Sequence, residues 1–330
     1  MRKLISLTLL LLSSFVLGSD VRIGALGGNA GFWPDDDQNI SLFPSTINNF
    51  NLAQVGGIGG DSTTIEYANF VWGDQNKYGF FLNSADNLLN IAYGGGSWGL
   101  LLGVNSNSSE VGDVKTSNLH LDTRFGLEMG FGEVGVNFAM TSNDDGDDDS
   151  DDPSSMDIGF NLRRDQNLWE FSHMLFQFNM MTTALGDAST SDMTVDLHLF
   201  QHWEVGDATD LLFALGFGYH SASPADKVTV TNITLPSYTL AVETNMLELA
   251  TARVGVTNGH YLSQSTDNDG TVVKSSGLGT FDLNFGLGID YGGFALDVDL
   301  RPGFFLNPVS YVTGLNDETL ATQATMTFSW

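Results

Sequence analysis

The chain has no cysteine at all, so no disulfide braces it and no thiol behind its leader can carry a lipid anchor. At 330 residues it is long enough to bury a core or close a barrel without such staples. It is also short of basic residues. Twelve Lys and Arg stand against 40 Asp and Glu, a formal net charge of −28. That balance repels phosphates and excludes a nucleic-acid partner, while it suits divalent cations or basic partners. Beyond the first residues no apolar run is long enough for a helix to cross a bilayer, and no amphipathic helical stripe of useful length occurs.

What is present begins with a leader. "MRKLISLTLLLLSSFVLGSD" has Arg2 and Lys3, an apolar run from Leu4 to Leu17, then small residues at Gly18 and Ser19. That is the plan of a secretory signal peptide over residues 1–19, with a mature chain expected to begin around Asp20. The exported chain is then either soluble outside the cytoplasm or crosses a membrane as strands. Acidic chains are often disordered, but 42% hydrophobic residues and 23 Phe argue for a folded product. The 38 Gly disfavour helices.

The hydrophobic period is two nearly everywhere. "NLHLDTRFGLEMGF" puts Leu119, Leu121, Phe125, Leu127, Met129 and Phe131 on one face, with His120, Asp122, Arg124 and Glu128 on the other. "SMDIGFNLR", "MTVDLHLFQHWEV", "TFDLNFGLGIDY" and "FALDVDLR" repeat the pattern. Weaker strand candidates lie near 52–58, 62–72, 77–83, 97–105, 168–181, 210–220 and 240–257, the last with mixed registers. "SADNLLNIAY" reads as a short helical turn. Turn clusters such as "SNDDGDDDSDDPSS" and "DYGGF" punctuate the runs, some long and some short.

Such strands suit a soluble sandwich, with the apolar face as core, or a membrane barrel, with that face toward lipid. Aromatic residues near the run ends (Trp98, Trp169, Trp203, Tyr291, Phe294) suit an interfacial girdle. The chain ends on "ATMTFSW", with Ala324, Met326, Phe328 and Trp330 on one face of a strand. This closing strand resembles the recognition signal of bacterial outer-membrane β-barrel proteins, although Ala324 is smaller than that family prefers. The resemblance implies that the barrel-assembly machinery reads the strand, and that the strand then pairs with the first to close the barrel. The expected fold is all-β, a transmembrane antiparallel up-and-down β-barrel of about 14 strands within a range of 12 to 16. Residues 51–330 would form it in the outer membrane of a Gram-negative-type bacterium, with lipid and lipopolysaccharide as surroundings. Residues 20–50, which do not alternate and hold Pro34 and Pro44, would be a periplasmic lead-in or a plug.

The inward face would then carry Asp122, Glu128, Asp157, Asp196, Glu204, Asp282, Asp290, Asp297 and Asp299 against Arg124, Arg163 and Arg301. Such a wall is net negative and favours cations, although some of these groups can pair across strands. The function expected is an outer-membrane channel, not an enzyme, for passive or weakly selective diffusion of small polar or cationic solutes. A plugged barrel that binds, scaffolds or adheres through acidic outer loops is one alternative. A barrel for hydrophobic-solute uptake is another.

No cofactor is expected beyond loosely held Ca²⁺. The Asp-rich loop offers Asp145, Asp147 and Asp152, and "STDNDG" offers Asp267 and Asp269, oxygen ligands of the kind Ca²⁺ takes. Neither loop completes an EF-hand pattern, since both lack the closing Glu. His198 and His202 have the spacing of a helical zinc pair, but on a strand they stand roughly 13 Å apart. No G-x-S-x-G nucleophile motif occurs.

Overall fold

A computed structural model of the chain describes residues 19–59, 66–83, 89–111, 114–144, 152–185, 188–225, 228–306, 309 and 320–330. The alternating runs become strands of two heights. Four short ones come first: β1 (Leu52–Ile58), β2 (Tyr67–Trp72), β3 (Asn76–Asn83) and β4 (Leu89–Gly95). Next come tall ones: β5 (Trp98–Val111), β6 (Val114–Met129), β7 (Gly132–Asp144), β8 (Pro153–Leu168) and β9 (Phe171–Leu185). The tall series continues through β10 (Ala188–Val205), β11 (Thr209–Ala225), β12 (Val228–Leu247) and β13 (Ala250–Asn268). Short segments close the chain: β14 (Thr271–Leu278), β15 (Asp282–Tyr291), β16 (Phe294–Leu300) and β17 (Ala321–Ser329).

Each strand pairs antiparallel with its neighbours, and β17 returns to β1 with Met326 opposite Val55 and Phe328 opposite Ala53. β14 and β15 follow one another along β13, opposite His260–Asn268 and Ala250–Thr257 respectively. The 17 segments less β14 make a closed ring of sixteen strands, the top of the expected range. Closure pairs the first strand with the last, so neither β1 nor β17 is a sheet edge. The segment 240–257 had mixed registers because it contains a hairpin, β12 turning into β13 at Glu248 and Leu249. The helical turn expected in "SADNLLNIAY" is not formed where that stretch is described. Leu89, Asn90, Ile91, Ala92 and Tyr93 lie in β4, with Asn90 and Ala92 buried and Leu89 and Ile91 exposed.

The apolar face points outward. Leu119, Phe125, Met129, Val136, Phe138, Met140, Met156 and Ile158 are exposed, while Asp122, Asn161, Arg163 and Asp297 are buried inside. A sandwich would show the reverse. On the terminal strand Met326, Phe328 and Trp330 face out, and Thr325 and Thr327 are buried inward. Around the outer lower rim, meaning the end that holds Asn51 and Trp330, aromatic rings run from strand to strand. Trp72, Tyr78, Tyr93, Trp98 and Phe125 are linked at centroid distances of 6.0, 5.5, 5.3 and 6.3 Å. Lower turns are tight: in "DYGGF", Gly292 and Gly293 both take positive φ (57° and 87°), as a two-residue hairpin of the right twist requires.

Residues 19–50 form short helical pieces in place of strands. Helix α1 (Asp20–Ala25) is N-capped by Ser19, whose Oγ accepts from the Arg22 N–H at 2.9 Å. A 3₁₀ turn at Ala30–Phe32 is capped by Asn29, and α2 (Asn39–Leu42) leads into a second 3₁₀ stretch, Pro44–Asn49. A last helix, α3 (Pro302–Leu306), follows β16. Among the described residues no helix is long and apolar enough to cross a membrane.

Candidate functional site: the enclosed space of the ring

The inner segment 19–50 lies against the inward faces of strands on opposite sides of the ring. Ile23, Leu26, Phe32, Trp33 and Phe43 pack with Leu175, Phe200, Leu212, Ala214 and Ala241 of β9 to β12. Across the ring, Ile40 and Ile47 pack with Leu52, Val71, Ala92 and Leu101 of β1, β2, β4 and β5. These wall residues break the polar character of the inward face only where the inner segment covers them. Burying each large one is worth roughly 1.5–3 kcal/mol.

Glycine lets the segment come close. Gly94, Gly99, Gly126 and Gly135 stand opposite one another in register across β4 to β7. A methyl at Gly135 would sit 1.9 Å from the Leu42 carbonyl oxygen, and one at Gly99 would sit 2.0 Å from that of Pro44. Only a wall without side chains admits this backbone.

Charge fixes the segment further. Arg22 donates through Nη1 to Asp36 Oδ2 at 2.5 Å, and through Nε and Nη2 to the Glu243 carboxylate at 2.9 and 2.6 Å. Arg253 donates to Glu243 and to Asp297, both at 2.6 Å, and Ser19 Oγ donates to Asp297 at 2.8 Å. The Arg22 guanidinium also lies 5.1 Å from the centre of the Trp33 ring. Opposite, Arg163 donates to Glu133 at 2.5 Å, Asn39 Oδ1 at 2.8 Å and the Gly31 carbonyl at 3.2 Å, and it covers the Phe43 ring. His202 Nε2 donates to the Phe32 carbonyl at 2.7 Å, with its other nitrogen 3.1 Å from Asp210. Desolvated ions of this kind hold only while each keeps its partner. Burial pushes the Asp36 carboxyl up to about 6 despite Arg22 beside it. Burial likewise raises Asp37, and the neighbouring Asp36 and Asp297 raise it further.

Above the inner segment the enclosure opens into a polar vestibule, a cavity of about 800 Å³. Ser41 and Leu42 line its base; Asn105, Asn118, His120, Asn137, Asp157, Asn161, Gln177, Asn179 and Asp196 line its sides. Asp157 accepts from the amides of Asn137 and Asn179, each at 2.9 Å.

Sequence reasoning placed twelve charged groups on the inward wall, and the structure distributes them over several surroundings. Asp122, Asp157, Asp196 and Arg124 line the vestibule, with Arg124 bound to Asp122 at 2.8 Å and to the Ser41 carbonyl at 3.1 Å. Arg163 and Asp297 are spent on the inner segment and its partners. Glu128, Glu204 and Asp290 are exposed near the lower rim, while Asp282 lines a separate cavity with Thr257 and Asn284. Asp299 accepts from Thr322 Oγ1 at 2.6 Å, and the Arg301 N–H donates to the Leu320 carbonyl at 3.0 Å.

Of the Ca²⁺ candidates, Asp145 and Asp147 lie outside the described residues. Asp152 just precedes β8, and Asp267 accepts from the Gly270 N–H in the β13–β14 turn at 2.9 Å. Among the described residues no three metal-ligating side chains gather. His198 and His202 both lie on β10, where they frame Phe32 and Trp33 at ring distances of 5.3 and 4.8 Å. Arg22, Asp36, Asp37, Glu133, Glu243 and Arg253 escaped the sequence reading.

No protein-family model matches the chain, and no curated protein matches it. Solved structures with similar stretches include a bacterial polysaccharide outer membrane secretin, at 11% identity and a TM-score of 0.39 over 84% of this chain and 97% of that one. The FrpB iron transporter of Neisseria meningitidis gives 9% identity and 0.38, over 79% of this chain and 48% of its own. A mutant ferric enterobactin receptor of Pseudomonas aeruginosa gives 8% and 0.29, over 76% and 53%. None of the three reaches a TM-score of 0.5.

Proposed function

We propose that this chain is an outer-membrane barrel for uptake of small polar or cationic solutes, which gather in the upper vestibule and pass when the inner segment yields. The observation that carries the reading is a polar cavity seated directly on an ion-paired, non-covalently held floor. An outward apolar band with an aromatic lower rim suits acyl chains and a headgroup boundary. Vestibule carboxylates outnumber the one arginine there, and that imbalance favours cations. In this reading the strand ending at Trp330 is what the assembly machinery engages before it pairs with β1.

The floor argues against a permanently open pore. The refolded full-length protein in a planar bilayer should be closed at rest, with rare cation-preferring openings. Loosening the floor with Arg22→Ala should multiply them. A large steady conductance of the parent protein would overturn the floor. A folded Arg22→Ala barrel that stays closed would favour the second reading, a static plugged barrel with a binding role, which the density of buried ion pairs supports. Uptake of hydrophobic solutes draws less support, because each described cavity carries carboxylates or amides.

A further inference from the structure

Asp37 differs from the matched ions around it. It is 5% exposed, and its Oδ2 accepts from the Gln54 amide at 2.9 Å. Its Oδ1 has no partner among the described residues. The Gln54 amide is shared with Thr327 at 3.0 Å, and its carbonyl accepts from Asn69 at 3.1 Å. None of these partners is charged, and the Arg22 guanidinium is taken by Asp36 and Glu243. A buried carboxylate with one neutral donor is costly to keep ionised.

The carboxylate lines a cavity of about 250 Å³ between the inner segment and the β1 to β6 wall. Asn90, 8% exposed, lines the same cavity, and its Oδ1 also has no partner among the described residues. Ile40, Leu52, Phe81 and Leu101 supply apolar walls. The one cationic side chain at its edge, Arg124, is paired with Asp122. Two buried oxygens without a partner, one of them on a carboxyl group, belong to residues that line a space offering no unpaired positive charge among the described residues. Water could satisfy the amide, but it could not balance the Asp37 carboxylate once ionised. A bare divalent ion needs six or more oxygen ligands, and no three metal-ligating side chains meet among the described residues.

We propose that this cavity binds a small organic monocation, a primary ammonium on a short hydrocarbon body. The ammonium would donate to Asp37 and Asn90, and the hydrocarbon would lie on Ile40, Leu52, Phe81 and Leu101. The volume equals about eight waters at roughly 30 Å³ each, which suits a solute of that class. The site stands whether or not the inner segment moves, so its test is equilibrium binding and not conductance.

Calorimetric titration of the refolded full-length protein in detergent, with isopentylammonium chloride as probe, decides it. Isopentanol and isovalerate serve as the neutral and anionic controls. The ammonium should bind at least about tenfold more tightly than the alcohol, a difference of roughly 1.4 kcal/mol, and isovalerate should not bind. Asp37→Asn should remove that preference while leaving the alcohol affinity unchanged, and Asn90→Ala should weaken the ammonium by a smaller factor. The shift in gel mobility between folded and boiled barrels establishes that each variant is folded. Equal affinity for ammonium and alcohol, an Asp37→Asn protein that binds the ammonium like the parent, or no binding at millimolar probe would each overturn the proposal.

Discussion

Strands β5 to β10 line both halves of the lumen, and the halves differ. In the lower half, inward Leu, Phe and Ala meet the inner segment, Arg22 and Arg253 each hold a buried carboxylate, and Arg163 holds a partly buried one. In the upper half most positions lining the open cavity are polar, although Ala139 and Met181 line it too, and the polar ones are joined by contacts such as Asn137 and Asn179 with Asp157, or His120 with Thr141. Solvent explains the contrast. Where a segment excludes water, the wall can be apolar, but any ion there must be matched. Where water enters, polar side chains need no exact partner. The lower half is therefore where single substitutions should cost most.

Arg22→Ala tests this at its most sensitive point. It leaves Asp36 and Glu243 facing a smaller, uncharged side chain, a change worth about 3–5 kcal/mol for a buried pair. The urea midpoint should fall accordingly, and the inner segment should become open to proteases. A midpoint unchanged from the parent would mean that these ions do not hold the segment.

Gly135→Val comes next. Its Cβ would collide with the Leu42 carbonyl, and overpacking of this kind costs about 1–3 kcal/mol. Gly277 on β14 has nothing within 4 Å of the added atom, so Gly277→Ala should stay within about 0.5 kcal/mol of the parent. Similar losses at both positions would show that strand conformation, not the close approach of the segment, sets the penalty.

How far the sequence foretold these halves follows from what each part answers to. The outer face was legible because the pleat imposes a period of two on a wall that is apolar outside and polar inside, so Leu119 to Phe131 and Ala324 to Trp330 could be sorted by parity alone. The same parity put Asp157 and Asp196 inward. The inner segment obeys no such period: its residues are set by a three-dimensional fit to nine strands or more, and Asp36 or Arg22 look like any surface charge. The glycine row was invisible for another reason. Gly94, Gly99, Gly126 and Gly135 are ordinary barrel glycines until the strand register sets them side by side. Arg253 sits between Ala252 and Val254 in a strict alternation, yet the hairpin at Glu248 and Leu249 blurred the register that would have revealed it.

Asp37→Asn should move stability the other way. Burial holds the Asp37 carboxyl above its ordinary value in the folded protein, so the folded state takes up a proton that the unfolded chain does not. The ionised form therefore lowers stability at neutral pH, and the penalty fades as pH falls through the raised value toward the ordinary one. The variant should be more resistant to urea by about 1 kcal/mol near neutral pH, with the gap closing by about pH 4. A gap that widens on acidification would mean that Asp37 is stabilised as a carboxylate by a partner of opposite charge.

The smallest effect belongs to the vestibule. Asp157→Asn removes one charge from a carboxylate that accepts from Asn137 and Asn179 at the edge of an open cavity. The new amide keeps one acceptor oxygen for one of these donors, and water reaches the other, so stability should change by no more than about 0.5 kcal/mol. The consequence should appear in permeation instead. In the Arg22→Ala background, where openings are frequent enough to measure, the reversal potential under a salt gradient should move toward zero as the vestibule field weakens. If Asp157→Asn instead destabilised the barrel as much as Arg22→Ala does, the vestibule would be as dry and as tightly matched as the floor, and a solute could not use it without first breaking the wall's own bonds.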